Sequence, residues 1–448
     1  MKQMPVTFDQ LDLNADLLST GEERLEATAL PSLQGDVPIP GDKSMSHRAL
    51  ILGGLATGTT IMHGLLESED VLRTAEAVAA FGPVVERLGA GHWTVTGTDW
   101  QSPAEPIDCG NSGTTARLMI GAAAGFPLEA SFIGDASLSR RPMARILEPL
   151  RQMGAKAYGE TLPLTVRGGQ LRRISHFNAN ASAQVKSALL LAGLNAKGGV
   201  EIIEPVASRD HGETMLRAFG CDVRAVDGAV SLAGSCRLTA ATVHIPGDPS
   251  SAAFPLVAAL ISPGSVVTVR SVMINPLRAG LFDTLREMGA RIEIAPCGQL
   301  GGEAVADISV CHGALRGIEV PANRAPSMID EYPILSVAAA FASGRTVLHG
   351  LGELRFKECD RLAAIVAGLR ACGIDASEDG DSLVIIGAGG PPAGGGSVEA
   401  HGDHRIAMSF LVLGLASRRP VTVDSAGSIA TSFPGFAALM RTIGGRIA

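Results

Sequence analysis

The sequence has few aromatic residues, no cysteine pattern and no long apolar run, and each shortage excludes a class of protein. Aromatic residues make up 4% of the chain, so aliphatic side chains must fill its core. The seven cysteines include no Cys-X-X-Cys pair and no cysteine–histidine metal spacing. We therefore predict free buried thiols in a reducing compartment, with neither disulfides nor a metal. No apolar run approaches the roughly 20 residues that cross a membrane.

An excess of positive charge is also missing. The formal net charge of −8 argues against nucleic acid or an acidic membrane surface as a partner. Residues 1–35 are rich in Asp and Glu and resemble neither a signal peptide nor a transit peptide. We expect them to form an N-terminal extension of uncertain order on a cytoplasmic protein.

The residues that are abundant favour an aliphatic α/β protein. Hydrophobic residues make up 46% of the chain and glycine occurs 54 times, which is typical of a turn-rich α/β fold. With 448 residues the chain is too long for one ordinary core, so we expect two domains.

A helical pattern that ends in glycine and continues into a short strand recurs six times. Glycine suits the left-handed position that ends a helix, and a period longer than a solenoid repeat favours six small α/β units. Five of the six residues 39–44 also recur at 245–250, which groups the units three plus three. We predict domains at 36–243 and 244–448, with a cleft between them. The glycines that close the six helices are Gly82, Gly154, Gly220, Gly289, Gly373 and Gly444.

The stretch 39–48 has the composition of an anion site at a helix start. Ser44 is the predicted N-cap, with Lys43 beside it and Arg48 one turn on. Helix N–H groups, a hydroxyl and two cations together favour an anion. The second copy keeps the turn but has Pro249 and Phe254 in place of the two cations. The turn therefore does not need the charges, and we favour function over a merely solvated helix start.

Further helix starts carry polar groups for which a plainer structural role stays open. The segment 108–117 contains two glycines and could be an Asx-capped turn. In 139–145, Arg140 and Arg141 come just before a proline-led helix, and we expect one of this pair to be solvated. In 181–187 Ser182 could be only a cap, and the adjacent acids at 330–331 could be only helix-dipole partners. The charges of 354–361 could form surface ion pairs. In 402–408 we predict Asp403 as the cap, with a cation in the first turn.

Together these starts place many cations at helix N-termini of an acidic protein, which implies a polyanionic small molecule, or two. Carboxylates from the second half and a lysine add a capacity for proton transfer. Nothing in the sequence resembles a nucleophile elbow, a metal cluster or a dinucleotide fingerprint. The cations are Lys43, Arg48, Arg117, Arg141, Arg209, Lys357 and Arg405, and the acids are Asp330 and Glu358.

The chain resembles the 5-enolpyruvylshikimate-3-phosphate (EPSP) synthase family over nearly all of residues 36–448. The resemblance lies in Pro-Gly-Asp-Lys-Ser-Met-Ser-His-Arg, Gly-Asn-Ser-Gly-Thr, Arg-Pro-Met, Ser-Ala-Gln, Leu-Arg-Phe-Lys-Glu-Cys-Asp-Arg and Asp-His-Arg-Ile-Ala-Met. Ser-Ala-Gln-Val-Lys and Ala-Thr-Ser-Phe-Pro resemble its bacterial class II branch. The family implies an α/β fold of two inside-out barrels, each of three βαβαββ units, with the active site in the interdomain cleft. It also implies a monomer that needs neither a metal nor an organic cofactor.

The resemblance implies that phosphoenolpyruvate and shikimate 3-phosphate are the substrates. The residues implied for shikimate 3-phosphate are Lys43, Ser44, Arg48, Ser182, Ala183, Gln184, Arg209, Asp330 and Lys357. Those implied for phosphoenolpyruvate are Lys43, Asn111, Gly113, Thr114, Arg141, Glu358, Arg361 and Arg405.

The implied reaction adds the 5-hydroxyl to phosphoenolpyruvate and then eliminates phosphate. Asp330 is assigned to the hydroxyl, and Lys43 and Glu358 to proton transfer at the enolpyruvyl carbon; which of these two delivers the methyl proton stays open. Thr431 replaces a lysine of some family members. Tolerant class II enzymes can carry alanine where this chain has Gly113, so we expect sensitivity to glyphosate. Cys359 is expected to be a packing residue.

Two other functions remain as alternatives. One is the related enolpyruvyl transferase that acts on UDP-N-acetylglucosamine, which would need a nucleotide pocket and normally a loop cysteine. The other is a catalytically silent metabolite-binding protein on the same scaffold. The first alternative predicts use of a UDP-sugar, and the second predicts binding without turnover.

Overall fold

The computed structural model describes residues 24–448, which contain thirteen α-helices. None of these helices is long and apolar enough to cross a membrane. The helices are α1 (Lys43–Leu55), α2 (Glu69–Ala80), α3 (Gly113–Ala124), α4 (Ala144–Met153), α5 (Ala183–Gly193), α6 (His211–Ala218), α7 (Pro249–Ile261), α8 (Gly280–Glu287), α9 (Ala325–Met328), α10 (Tyr332–Phe341), α11 (Arg361–Ala371), α12 (His404–Gly414) and α13 (Phe436–Thr442).

The strands of the described residues form six four-stranded sheets, and three of these sheets lie in the unit made by residues 41–245 with 300–303, here called the first unit. The first sheet has the order β14 (Thr242–His244), β3 (Thr59–His63), β5 (His92–Thr96), β4 (Val84–Gly89). The second has β6 (Ile107–Asp108), β7 (Glu129–Ile133), β9 (Leu164–Arg167), β8 (Lys156–Tyr158). The third has β10 (Arg172–Phe177), β11 (Lys197–Ile203), β13 (Ala229–Leu232), β12 (Val223–Val226).

The other three sheets lie in the second unit, which comprises the described residues up to 40 together with 246–299 and 304–448. The fourth sheet has the order β16 (Ile292–Leu300), β17 (Glu303–Cys311), β15 (Val266–Met273), β2 (Gln34–Val37). The fifth has β18 (Glu319–Val320), β19 (Ser343–Leu348), β21 (Ser382–Ala388), β20 (Asp375–Asp379). The sixth has β22 (Ser397–Val398), β23 (Val421–Val423), β1 (Leu25–Thr28), β24 (Arg446–Ile447).

Six repeated α/β units are present, and the predicted fold class is confirmed. In each sheet one edge pair is parallel. Two of the units run βαβαββ along the chain without interruption, for example β6–α3–β7–α4–β8–β9. The six predicted closing glycines all follow a helix and all have φ between 76° and 116°, the left-handed region that ends a helix.

Strand pairing joins residues on either side of the predicted start of the first domain. The sequence assigned residues 36–40 to the first domain, but β2 pairs in parallel with β15 of the second unit, from Gln34↔Val266 to Val37↔Val269. Conversely β14, which precedes α7 in the chain, pairs with β3 of the first unit. The units therefore divide at 40/41 and 245/246.

Part of the predicted N-terminal extension is also an integral part of the fold. β1 pairs antiparallel with both β23 and β24, so residues 25–28 complete the sixth sheet. Ala27 is fully buried in this position. These residues of the predicted extension are therefore ordered, and for residues 1–23 the expectation lies outside the described part of the chain.

Each unit is built around helices that are buried on all sides. Every residue of α7, α10 and α12 is buried, and these three helices pack on one another in the second unit. In the first unit α1, α3 and α5 are almost as deeply buried. A helix that is apolar all round must lie in a core, and here the sheets cover it. Within each unit this is the inside-out arrangement that the resemblance implied.

The cysteines differ in part from the prediction. All seven are free thiols, as predicted, but only three of them are buried. Cys297 is exposed because it lies on β16, where most side chains point to solvent.

Candidate active site

The buried helices of the first unit reach solvent almost only at their N-terminal ends. The residues of these helices that are not buried are Lys43, Ser44, Leu55, Thr114, Arg117, Ala183 and Gln184. All except Leu55 lie within the first five residues of α1, α3 or α5, near the ends where N–H groups and the helix dipole favour anions. These ends are therefore the candidate ligand surface of this unit.

At the start of α1, the predicted cap is wrong. The helix begins at Lys43, and Asp42 caps it by accepting a hydrogen bond from the Met45 backbone N–H at 2.7 Å. Ser44 instead lies inside the first turn. A carboxylate before the helix both accepts an N–H and carries the charge that the dipole favours. The corresponding residue Asp248 caps α7 in the same way, so the repeated turn is confirmed.

Lys43 forms an ion pair with Asp70, a residue of the first turn of α2 that the sequence did not single out. Arg48 is buried, and its guanidinium donates to the Ser44 carbonyl at 2.8 Å and to the Ser187 hydroxyl of α5 at 2.6 Å. The two cations are thus fixed by the surrounding helices. Because these side chains are already ordered, less conformational entropy is lost when an anion binds to them.

The starts of α3 and α5 meet through polar side chains. Arg117 donates to the Gln184 side-chain oxygen at 2.9 Å, and the Gln184 amide donates to the Thr114 hydroxyl at 3.0 Å. Ser112 caps α3 and Ser182 caps α5; the second of these caps was predicted. Thr114 and Gln184 therefore lie next to each other, although 70 residues separate them in sequence.

Arg141 lies beside the same helix start. Its guanidinium donates to the Asn111 side-chain oxygen at 2.6 Å, while the Asn111 amide donates to Asp135 at 2.6 Å. Arg140 is exposed and Arg141 is buried, which confirms that one of this pair is solvated. A Cβ on Gly113 would lie 2.7 Å from the Arg117 guanidinium and 3.3 Å from that of Arg141.

A chain of hydrogen bonds behind this surface was also missed by the sequence analysis. His47 Nδ1 lies 2.6 Å from the Thr74 hydroxyl, which lies 2.6 Å from that of Thr115. Thr115 continues the chain to Ser112 at 2.7 Å. Burial, with the nearby Lys43 and Arg48, holds the pKa of His47 well below its usual value. His47 is therefore neutral near pH 7 and ties α1 to α2 and α3.

In the second unit, one buried guanidinium gathers three carboxylates. Arg361, which opens α11, donates through Nε to Asp403 at 2.7 Å and through its other nitrogens to Asp330 and Glu358. Burial on its own lowers the pKa of Arg361, but the three carboxylates outweigh it and raise that pKa. The arginine is permanently charged, and it brings the predicted acids Asp330 and Glu358 onto one group.

Arg405 lies in the first turn of α12, whose predicted cap Asp403 is confirmed. Its guanidinium donates to the Asp330 carbonyl at 3.0 Å and lies 3.9 Å from the Glu331 carboxylate. Glu331 is buried and accepts a hydrogen bond from Ser250. Lys357 Nζ lies 3.4 Å from the Asp330 carboxylate. The starts of α7, α10 and α12 therefore converge around Asp330.

Other charged residues of the segment 354–361 form surface ion pairs, the plainer role that the sequence left open for this segment. Arg355 pairs with Glu378 at 2.7 Å and with Asp360 at 3.2 Å, near the protein surface. Cys359 donates weakly to Asp403 at 3.7 Å, and burial raises the pKa of its thiol, with Asp403 adding to the effect. A protonated thiol is a poor nucleophile. Thr431 lies 3.3 Å from His404 Nδ1.

Every predicted site residue thus belongs to one of two sets. Within residues 24–448, one group of three side chains could hold a metal ion, because their ligand atoms lie within 4.8 Å of one another: Asp210, His211 and Glu303. This group includes no predicted site residue. The set of the first unit comprises Lys43, Ser44, Arg48, Asn111, Gly113, Thr114, Arg141, Ser182, Ala183, Gln184 and Arg209, and that of the second comprises Asp330, Lys357, Glu358, Arg361 and Arg405.

Comparisons with known proteins agree on one family. The family model of EPSP synthase (3-phosphoshikimate 1-carboxyvinyltransferase) matches residues 28–440. The 3-phosphoshikimate 1-carboxyvinyltransferase of Phenylobacterium zucineum is 55% identical over 428 residues, 94% of this chain and 95% of the relative. That of Caulobacter vibrioides is 56% identical over 429 residues, 93% and 97% of the two chains. The EPSP synthase structure from Acinetobacter baumannii is 41% identical, with a TM-score of 0.84 over 95% of this chain and 99% of its own.

Proposed function

Because the chain belongs to the EPSP synthase family, we propose that it transfers the enolpyruvyl group of phosphoenolpyruvate to the 5-hydroxyl of shikimate 3-phosphate. The products are 5-enolpyruvylshikimate 3-phosphate and inorganic phosphate. The chain is a 3-phosphoshikimate 1-carboxyvinyltransferase of the shikimate pathway, and its substrates are small polyanions. This agrees with the cations at the partly exposed starts of buried helices in a protein of net charge −8.

One observation carries the chemical part of the proposal. Asp330 and Glu358 are hydrogen-bonded to the same buried guanidinium, that of Arg361. Two carboxylates so close together can serve neighbouring atoms of one small substrate, as addition and elimination require. Lys357 and Arg405 lie beside them and supply positive charge for a phosphate or a carboxylate.

The reaction proceeds in two balanced steps. In the addition, the oxygen of the 5-hydroxyl bonds to the enol carbon of phosphoenolpyruvate while Asp330 accepts the hydroxyl proton. The methylene carbon gains a proton from Lys43 or Glu358. In the elimination, the resulting methyl group loses a proton and the carbon–oxygen bond to phosphate breaks. The same groups exchange roles as acid and base, and the arginines stabilise the charge on phosphate.

The assignment of substrates to residues is part of the proposal. For shikimate 3-phosphate it uses the starts of α1 and α5, Arg209 and Asp330 with Lys357. For phosphoenolpyruvate it uses the start of α3, Arg141, Glu358, Arg361 and Arg405. Residues of both units are thus assigned to one pair of substrates. We extend the proposal to inhibition by glyphosate, a cytoplasmic location, a monomeric state and turnover without a metal or an organic cofactor.

The direct test is phosphate release from phosphoenolpyruvate, with and without shikimate 3-phosphate. We expect release only with both substrates, and a loss of at least about 100-fold in kcat for Lys43→Ala, since it removes both a ligand and a proton-transfer group. Binding of both substrates without turnover would instead indicate a silent binding protein. Use of UDP-N-acetylglucosamine in place of the sugar phosphate would indicate the related transferase.

A further inference from the structure

A buried ionic cluster in the first unit takes no part in the chemistry above. The cluster consists of Lys186 of α5, Glu204 in the segment before α6, and Glu213 of α6. These residues are 1%, 6% and 2% exposed, respectively. The Lys186 ammonium has three acceptors: Glu204 at 2.9 Å, Glu213 at 2.7 Å and the Ser208 carbonyl at 3.2 Å. An ammonium group has three protons to donate, so all of them are used. Buried charges persist where they are paired in this way.

The Glu204 carboxylate is equally saturated. One oxygen accepts from the Asn178 amide at 2.7 Å and the Ser208 hydroxyl at 2.6 Å. The other accepts from Lys186 at 2.9 Å and from the Ser208 backbone N–H at 3.3 Å. These bonds connect three separate segments, namely the loop before α5, α5 itself and the loop that leads to Arg209.

The loop before α5 depends on this cluster. Asn178, which is held by Glu204, donates to the Ser182 carbonyl at 3.1 Å and accepts from the Ser182 N–H at 3.3 Å. The intervening Ala181 has φ 48°, a left-handed conformation that costs an alanine about 1 kcal/mol or more. A strained conformation persists only when its surroundings fix it. Asn178 and Glu204 supply that constraint directly before Ser182.

The loop before Arg209 is held as firmly. The neighbouring Ser208 is bonded through all three of its polar groups: its N–H and hydroxyl donate to Glu204, and its carbonyl accepts from Lys186. The backbone from which Arg209 extends is therefore fixed relative to α5. Ser182 and Arg209 are two of the residues assigned to shikimate 3-phosphate.

We propose that Glu204 and Lys186 are positioning residues for shikimate 3-phosphate, which act by holding Ser182 and Arg209 in one fixed arrangement. The proposal rests on the function proposed above. Neither residue touches substrate in this account, and both act through the segments they join. Their removal lowers affinity for the sugar phosphate and leaves the phosphoenolpyruvate groups of α3 and Arg141 in place.

The test compares the KM values of the two substrates in Glu204→Gln. The amide keeps the shape but cannot accept all four hydrogen bonds, so we expect the KM for shikimate 3-phosphate to rise about tenfold or more. The KM for phosphoenolpyruvate should change by less than about twofold. Ser208→Ala removes a single hydrogen bond and should raise the KM for shikimate 3-phosphate by about threefold. If Glu204→Gln does not fold, the KM values of Ser208→Ala provide the test.

A double-mutant cycle separates positioning from general loss of stability. Glu204→Gln should weaken shikimate 3-phosphate binding much less when Arg209→Ala is already present, because the group it positions is gone. Glu287→Gln is the matched control: Glu287 accepts two hydrogen bonds from Arg324 in the second unit and contacts no assigned residue. It should leave both KM values unchanged.

The outcomes distinguish this inference from the proposed function. If the wild-type protein does not turn over the two substrates, the proposed function is wrong. If it does, and Glu204→Gln and Ser208→Ala raise both KM values equally or neither, the positioning role is wrong. Fully additive effects of Glu204→Gln and Arg209→Ala on binding would also overturn it.

Discussion

At the scale of single residues, the assigned cations are held by acids that the sequence did not reveal as partners. Asp70 pairs with Lys43, Asp135 holds Asn111 against Arg141, and Asp403 binds Arg361. The cations themselves could be predicted because they stand at helix starts in recognisable motifs. Their partners could not, since Asp70 lies on another helix and only the fold brings it near.

Gly113 gives a prediction at this scale. A Cβ there would lie 2.7 Å from the Arg117 guanidinium and 3.3 Å from that of Arg141, so both arginines must shift to admit it. We expect Gly113→Ala to raise the inhibition constant of glyphosate at least about tenfold, and the KM for phosphoenolpyruvate by less. Steady-state inhibition kinetics measure both values.

The control for this variant is Gly313→Ala. A Cβ on Gly313 would meet nothing within 4 Å, and the residue belongs to no assigned set, so both constants should stay at the wild-type values. An inhibition constant that Gly113→Ala leaves unchanged would refute the expectation that this glycine makes the enzyme sensitive.

At the scale of elements, helix ends were predictable where one residue type suits the position and unpredictable where two compete. The six closing glycines all have the expected left-handed φ, and Ser182 and Asp403 are caps as predicted. At α1 both Asp42 and Ser44 suit an N-cap, and the cap is Asp42, not the predicted Ser44. Local sequence does not decide between two such residues only two positions apart.

The glycine rule can be tested at Gly154, which ends α4 with φ 111°. The nearest atom to an added Cβ would be the Gln170 carbonyl oxygen at 3.9 Å, so alanine fits the space and only the backbone conformation opposes it. We expect Gly154→Ala to lower the free energy of unfolding by about 1–2 kcal/mol. Urea denaturation at equilibrium measures the change.

Gly89→Ala in the same unit is the matched control. A Cβ on Gly89 would have nothing within 4 Å, and its φ is not positive, so alanine should be neutral or raise the free energy of unfolding by up to about 1 kcal/mol. Equal losses of stability in the two variants would show that the left-handed φ is not the cause.

At the scale of the whole molecule, the grouping of the six α/β units as three plus three was predictable because the sequence contains repeats. The exchange of strands was not. β2 belongs by repeat to the first half, yet it pairs with β15, more than 200 residues away. Strand pairing at that distance depends on tertiary contacts and leaves no local pattern. The same reason explains why Leu25–Thr28, assigned to an extension, instead completes a sheet.

The central proposal is that residues of both units act in one addition–elimination reaction. The measurement that tests it most directly is turnover in deuterated water, with the product followed by nuclear magnetic resonance. Addition places a solvent deuteron on the methylene carbon, and elimination then removes one hydrogen from the methyl group. We predict deuterium in the vinyl group of the product. Its formation should be at least about 100-fold slower for Lys43→Ala of the first unit and at least about tenfold slower for Glu358→Gln of the second. A product free of deuterium, or a rate that either variant leaves unchanged, would contradict the account.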